Sequence, residues 1–254
     1  MILVTDIGNT NIVIGCVDKD KIYFKERIST NHSATDLEYT MAVRTALEMH
    51  DVTSDMIKGS IISSVVPSVT NVFVKAIEKY CQIKSLVVGP GIKTGLKIAI
   101  DNPAQLGSDL VVDAVASINN YPLPQIVVDM GTATTFSVID KNCNYLGGAI
   151  ATGMAVSLDA LANKTSQLPK VAFEIPKKVI GTNTVDCIKS GIMHTTASSI
   201  DGMIERIEDE LGEKCTVIAT GGLAGIVAPL CKRKIVVDDD LMLKGLMIIY
   251  NKNC

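Results

Sequence analysis

Apolar residues recur along the chain either as short unbroken runs or as stripes at helical spacing, with polar breaks between. Ile2 to Val4 and Ile12 to Val17 are apolar runs, and Lys21 to Ile28 follows the polar Asp18-Lys19-Asp20; together they predict an antiparallel strand meander. Ser33, with Asp36 three residues on, predicts a capped helix start, and Ile61 to Val66 a buried strand. After Pro67, the positions Val69, Val72, Phe73, Ala76, Ile77 and Tyr80 make one apolar stripe of helical period, which predicts a helix packed on the sheet. Ser85 to Val88 predicts a short strand. Gly89-Pro90-Gly91 and Asp101-Asn102-Pro103 then break the chain before a helix carrying Leu110, Val111, Ala114, Val115 and Ile118.

Pro122 and Pro124 mark a linker, after which Ile126-Val127-Val128-Asp129 repeats the opening strand and turn. Strands are expected at Thr134 to Ile139 and Leu146 to Ile150, a helix near Ala155 to Leu161, and a longer one over Val185 to Leu211 interrupted by Gly191 and Gly202. Val217 to Thr220 reads as a buried strand running into Gly221-Gly222, Ile235 to Val237 as another, and Leu241 to Tyr250 as a closing apolar helix. Strands alternating with helices place the chain in the α/β class. Asp6 and Asp129 are 123 residues apart in a chain of 254, which predicts two related units, residues 1–119 and 120–254.

Composition narrows the function classes. With 47% hydrophobic and 20% charged residues the chain is an ordinary globular sequence, neither disordered nor collagen-like. No Trp, four Phe, six Tyr and a net charge of −3 leave few rings to stack bases and no basic surface for a phosphate backbone, so nucleic acid is not an expected partner. No window approaches the roughly 20 apolar residues of a membrane helix. The start lacks the charged region and cleavage site of a signal peptide, so a cytoplasmic location away from membranes is expected. Seven scattered cysteines, with no Cys-x-x-Cys pair, fit reduced thiols better than a disulfide frame or zinc site. None of the three histidines, His32, His50 and His194, adjoins a cysteine in a nucleophile motif.

The candidate chemistry sits in two Asp-x-Gly turns. In Asp6-Ile7-Gly8-Asn9-Thr10-Asn11, Gly8 permits a tight turn and close ligand approach, Asn9, Thr10, Asn11 and their amides offer donors to phosphate oxygens, and Asp6 suits a hydrated Mg²⁺. Taken alone, such a turn reads equally as a hairpin in which Asp and Asn cap their own backbone. The second copy, Asp129-Met130-Gly131-Thr132 with Thr134 and Thr135, favours phosphate binding, since two turns, one per half, can clamp the β- and γ-phosphates. Gly89 to Gly95 lacks P-loop spacing and reads as a loop, whereas Gly221-Gly222 after a buried strand offers bare backbone to an adenine or ribose. Phosphoryl transfer to a hydroxyl also wants a carboxylate base. Asp109 in Leu106-Gly107-Ser108-Asp109-Leu110 is the candidate, though an acid in a first helical turn also serves simply to complement the helix dipole. Thr182-Asn183-Thr184 is either a further site or the N-cap of the long helix.

These blocks resemble type III pantothenate kinase, of the acetate and sugar kinase, heat-shock and actin-like superfamily. The likeness spans the chain and rests on Asp6-x-Gly-Asn-Thr-Asn, Asn102-Pro103 leading to Gly107-x-Asp109, Asp129-x-Gly-Thr-Ala-Thr-Thr-Phe136, Gly147-Gly148-Ala-Ile, Lys164-Thr-x-Gln-Leu-Pro169, Gly181-x-Asn-Thr184 and Gly221-Gly222-Leu-Ala. The resemblance implies two ribonuclease-H-like domains, a homodimer, ATP-dependent phosphorylation of pantothenate at the head of coenzyme A biosynthesis, a divalent cation such as Mg²⁺, and a monovalent cation, K⁺ or NH₄⁺. Position by position it implies that Asp6, Ile7, Gly8, Asn9, Thr10, Asn11, Ile12 and Val13 hold ATP phosphates, with Thr132 also on ATP. Gly107 to Leu110 and Thr184 would meet pantothenate, with Asp109 the proton acceptor and Asp129 on the monovalent cation. The family often carries Arg after the catalytic Asp and Tyr before the Asp-Asn-Pro turn, where this chain has Leu110 and Ile100. A non-catalytic nucleotide-binding regulator, or a kinase of another small hydroxylated metabolite, are the alternative readings.

Overall fold

The computed structural model of the protein describes residues 1–18 and 21–254. Residues 19 and 20, part of the polar break expected after Val17, lie outside the described residues. In chain order the first elements are β1 (Ile2–Ile7), β2 (Asn11–Asp18), β3 (Lys21–Ser29), α1 (Asp36–Glu48), β4 (Gly59–Ser64), α2 (Pro67–Cys81) and β5 (Ser85–Val87). Then come β6 (Lys97–Ile98), α3 (Ser108–Asn120), β7 (Gln125–Met130), β8 (Ala133–Ile139), β9 (Asn144–Thr152) and α4 (Met154–Lys164). The chain closes with α5 (Thr184–Leu211), β10 (Thr216–Thr220), the short α6 (Ala224–Val227), β11 (Val236–Val237) and α7 (Leu241–Asn253). None of the described helices is long and apolar enough to cross a membrane.

Two compact units result, each built on its own sheet. In the first, the strand order is β3-β2-β1-β4-β5, with β1 antiparallel to β2 and parallel to β4. Because β1 is central, both its faces are covered, and its residues Leu3, Val4 and Ile7 are fully buried. Strand alternation sends Leu3 and Ile7 into a core with Val43 and Leu47 of α1 and Phe73 and Ile77 of α2. Val4 faces the other way, onto Val112 and Val115 of α3 and Leu243 and Leu246 of α7. Asp6 follows Val4 by two residues and shares that second face. The α2 stripe is buried as its spacing predicts, with Pro67 at the first helical turn.

The second unit has the order β11-β10-β7-β8-β9-β6, so β9-β8-β7-β10-β11 repeats the topology of the first sheet strand for strand. The fold is α/β, with two mixed sheets flanked by helices. Ile126, Val128 and Met130 of β7 pack with Met193, Ala197 and Ile200 of α5, which leaves Asp129, one residue out of phase, on the opposite face.

Three expectations are corrected. The units are not the contiguous halves 1–119 and 120–254: residues 97–101 join the second unit and residues 240–254 the first. The reasons are the pairing of Lys97 and Ile98 with β9, and the burial of Leu241, Leu243, Leu246 and Ile249 in the first unit. Secondly, α1 is capped by Thr35 in a reciprocal capping box with Glu38, not by Ser33, whose N–H is tied to Asn31 Oδ1 at 3.0 Å. Thirdly, α5 runs unbroken through Gly191 and Gly202 over 28 residues. Each glycine costs a helix only about 1 kcal/mol, less than the burial of Ile188, Met193, Ala197, Ile200 and Ile204 returns.

Candidate active site

In the first unit the turn after β1 is closed by the Gly8 N–H donating to the Asn11 carbonyl at 3.0 Å. It is braced from β3, where the Thr30 hydroxyl donates to the Gly8 carbonyl at 2.6 Å and the Thr30 N–H to the Thr10 carbonyl at 2.9 Å. Asn9 and Thr10 stand exposed at the tip. Ile7 and Ile12 are fully buried, so within the 6–13 segment these two offer a ligand only backbone groups.

Asp6 pairs in parallel register with Ser63 of β4. Buried Ser63 has its hydroxyl 3.1 Å from that of Ser108, the first residue of α3, which also bonds the Ser64 backbone. This joint brings the start of α3 to the strand beside Asp6, and Asp109 is the next residue. Its carboxylate folds back over the helix start, accepting from the Leu110 N–H at 2.8 Å. Gly107 makes room, since a Cβ there would lie 2.3 Å from Asp109 Oδ1. Burial pushes the Asp109 carboxyl above the usual carboxylate range, against the smaller opposing pull of the backbone N–H bond. Leu110 is part-buried and brings no charge.

In the second unit the Asp129 turn is one residue shorter: Gly131 N–H donates to the Ala133 carbonyl at 3.0 Å, and strand pairing resumes at Met130 with Thr134. Thr132 is exposed at its tip. Gly153, capping α4, donates its N–H to the Thr132 carbonyl at 3.2 Å, and a Cβ there would lie 2.3 Å from the same oxygen. The helix therefore starts directly against the turn, with its positive end towards it. On the other side Gly221, at φ +92°, lies against Asp129: an added Cβ would fall 2.5 Å from Oδ1. Gly222 follows, exposed. Thr135 pairs with Asp129 across the hairpin, and its buried hydroxyl has no hydrogen-bond partner in the protein. Thr184 is the exposed first residue of α5, whose cap is Asn183, accepting from the Asp186 N–H at 2.9 Å.

The structure thus groups Asp6, Gly8 to Asn11 and Gly107 to Leu110 in one unit, and Asp129, Thr132, Gly221 and Gly222 in the other. Two participants went unforeseen. The signal for Ser63-Ser64 is a polar pair directly after the apolar Ile61-Ile62, and that for Gly153 is a glycine between strand and helix. Four of the seven thiols are held protonated: burial pushes Cys16, Cys81 and Cys215 up to about 11 and Cys231 up to about 12.

The sequence matches the family model for type III pantothenate kinase over residues 2–206. The chain belongs to the type III pantothenate kinase family. A type III pantothenate kinase of Brevibacillus brevis is 43% identical over 253 residues, covering 100% of this chain and 99% of its own. One of Halalkalibacterium halodurans is 42% identical, with 100% of both chains covered. In fold, the crystal structure of a Baf family protein from Campylobacter jejuni superposes with a TM-score of 0.62 at 18% identity, covering 98% of each chain. Within the type III pantothenate kinase family, then, this chain keeps both Asp-x-Gly turns and the Gly107-x-Asp109 element while carrying Leu110 after the acid.

Proposed function

We propose that this chain transfers the γ-phosphoryl group of ATP to the 4′-hydroxyl of pantothenate, giving 4′-phosphopantothenate and ADP in the first step of coenzyme A biosynthesis. The observation that carries this reading is Asp109, a part-buried carboxylate anchored through Ser108 and Ser63 to the strand beside Asp6, in a chain of this family. Asp109 takes the hydroxyl proton as the new P–O bond forms and the bond from the γ-phosphorus to the β–γ bridging oxygen breaks. Its raised pKa makes it a better proton acceptor than a free carboxylate. In the first unit, the backbone N–H groups and polar side chains of Gly8 to Asn11 bind ATP phosphates; in the second, Thr132 contacts ATP, and Gly221 and Gly222 offer bare backbone to the nucleoside. The backbone of Gly107 to Leu110 meets pantothenate, and Thr184 is a separate pantothenate contact assigned to the second unit.

For the divalent ion, Asp6 would supply one carboxylate, with water and phosphate oxygens completing the shell. In the second unit, the Asp129 carboxylate with the partnerless Thr135 hydroxyl forms a hard-oxygen set suited to K⁺ or NH₄⁺. When bound, these cations offset phosphate charge. Exposed Ile175, Val179, Ile180 and Val185 crowd one stretch of the second unit, an apolar surface that a second copy of the chain would cover in the homodimer we infer.

The test is coupled ADP release with pantothenate, Mg²⁺ and K⁺. Turnover that requires pantothenate is expected; ADP release no faster than ATP hydrolysis alone would overturn the reading. Calorimetric binding of ATP without pantothenate would point to a regulator instead.

A further inference from the structure

We propose that Ser108 is a positioning residue whose hydroxyl fixes Asp109 in its reacting place by standing in for a missing strand partner at the end of β4. The case starts at the edge of the first sheet. β5 pairs with β4 only as far as Ile62 with Val87, and the last bond across that edge is Val88 N–H to the Ile62 carbonyl at 2.8 Å. Along a strand, backbone groups two residues apart face the same neighbour. Ser64 therefore points its N–H and carbonyl to where β5 has already ended.

Ser108 takes both. Its hydroxyl donates to the Ser64 carbonyl at 2.9 Å and accepts from the Ser64 N–H at 3.0 Å, replacing the two hydrogen bonds that a longer β5 would have made to Ser64. The hydroxyl proton being committed there, the remaining contact at 3.1 Å has Ser63 as donor. One donor and two lone pairs are then fully used, so the Ser108 side chain has nothing left to offer a substrate. Ser64 is itself held, its Oγ accepting from the Val66 N–H at 3.1 Å and lying 2.7 Å from Thr70 Oγ1 at the start of α2. Ser63 and Ser64 lie in register with Asp6 and Ile7. A chain of short polar contacts thus ties the Asp6 strand to the residue preceding Asp109, and the first turn of α3 cannot slide without breaking it. Proton transfer tolerates little misplacement, on the order of 1 Å costing about 100-fold in rate.

This inference rests on Asp109 as proton acceptor, so Asp109→Asn is assayed beside it in the full chain. Ser108→Ala is expected to lower kcat by about 10- to 100-fold while KM for ATP moves less than about twofold. Ser108→Thr, which keeps the hydroxyl, should recover most of the lost kcat. An Ala variant with kcat within about twofold of the parent, whatever its melting temperature, would overturn the proposal, as would a Thr variant no better than Ala. Should Ser108→Ala not fold, Ser63→Ala removes a single donor to the same oxygen and must still lower kcat; unchanged kcat overturns the idea there too. An Asp109→Asn variant that keeps full activity would instead sink the assignment of the base.

Discussion

Replacing Gly221 with alanine adds one methyl group at a confined backbone position beside Asp129. The new Cβ would lie 2.5 Å from Asp129 Oδ1 and 2.7 Å from both the N and the C of Met130. Ordinary contact needs about 3.4 Å, so the carboxylate must retreat by about 0.9 Å, whereas the Met130 backbone is held in β7 between β8 and β10. The residue also sits at φ +92°, where a side chain costs about 1–2 kcal/mol. Overpacking adds about 1–3 kcal/mol. The sum of about 2–5 kcal/mol lowers the melting temperature by roughly 5–15 °C for a chain of this size. Displacing Asp129 by nearly 1 Å lowers kcat about 100-fold if that carboxylate helps to hold the phosphate end of ATP. Gly225→Ala in α6 is the control, since a Cβ there meets nothing within 4 Å. Thermal melts followed by circular dichroism and coupled ADP release read both effects. A Gly221→Ala protein melting within about 2 °C of the parent with kcat within about twofold would refute the reasoning.

Asp109→Asn should lower kcat by about 10²- to 10⁴-fold, the usual contribution of a positioned base, and the parent's kcat should fall with acidification at a pH above the ordinary carboxylate range, as read from pH profiles. The sign for stability follows: with its pKa raised by burial, Asp109 favours the fold below its unfolded pKa and loses that contribution as pH rises through the folded value. The Asn variant should therefore melt higher than the parent at neutral pH, and the gap should close in acid. Gly245→Ala would place a Cβ 2.2 Å from the Val112 carbonyl oxygen, where α7 crosses α3. Forcing the helices apart should cost about 1–3 kcal/mol and lower kcat as well, because α3 carries Asp109; denaturant unfolding and the kinase assay measure the two.

Much of the architecture was legible because burial writes itself into local pattern. The α2 stripe and the apolar runs Ile2 to Val4 of β1, Ile126 to Val128 of β7 and Val217 to Ala219 of β10 report buried surfaces. What stayed hidden depends on partners far along the chain. Ser33 and Thr35 each have an acid three residues on, and the cap is Thr35, whose partner Glu38 is long enough to reach back to the Thr35 N–H and close the reciprocal box. The return of α7 to the first unit turns on which sheet its apolar residues meet, and the two-residue pairing signal of β6 is weaker still, since Lys97 and Ile98 gain strand geometry only from β9. At the site, the Asp-x-Gly turns were readable as local chemistry, whereas the Ser64–Ser108 joint links residues 44 apart and leaves no local trace.

The duplicated sheet explains why two equivalent aspartates have different expected work. Asp6 and Asp129 occupy the same place, near the end of the first strand of each unit and on the face away from its Leu3–Ile7 or Val128–Met130 core. Each is flanked by the parallel strand that follows in sheet order, Asp6 by Ser63 and Asp129 by Thr220. The difference lies in what that neighbour does next. Beyond Ser63 the chain offers Ser64 to Ser108, which delivers a helix start and a second carboxylate, Asp109. Beyond Thr220 the chain turns left-handed at Gly221 and lays bare backbone on Asp129, with the Thr135 hydroxyl across the hairpin. An acid on a helix start joined to the strand beside Asp6 suits the proposed proton transfer, and neutral oxygens beside Asp129 suit a weakly held cation. On the roles proposed for them, the strand next door, rather than the Asp-x-Gly turn itself, distinguishes the two aspartates.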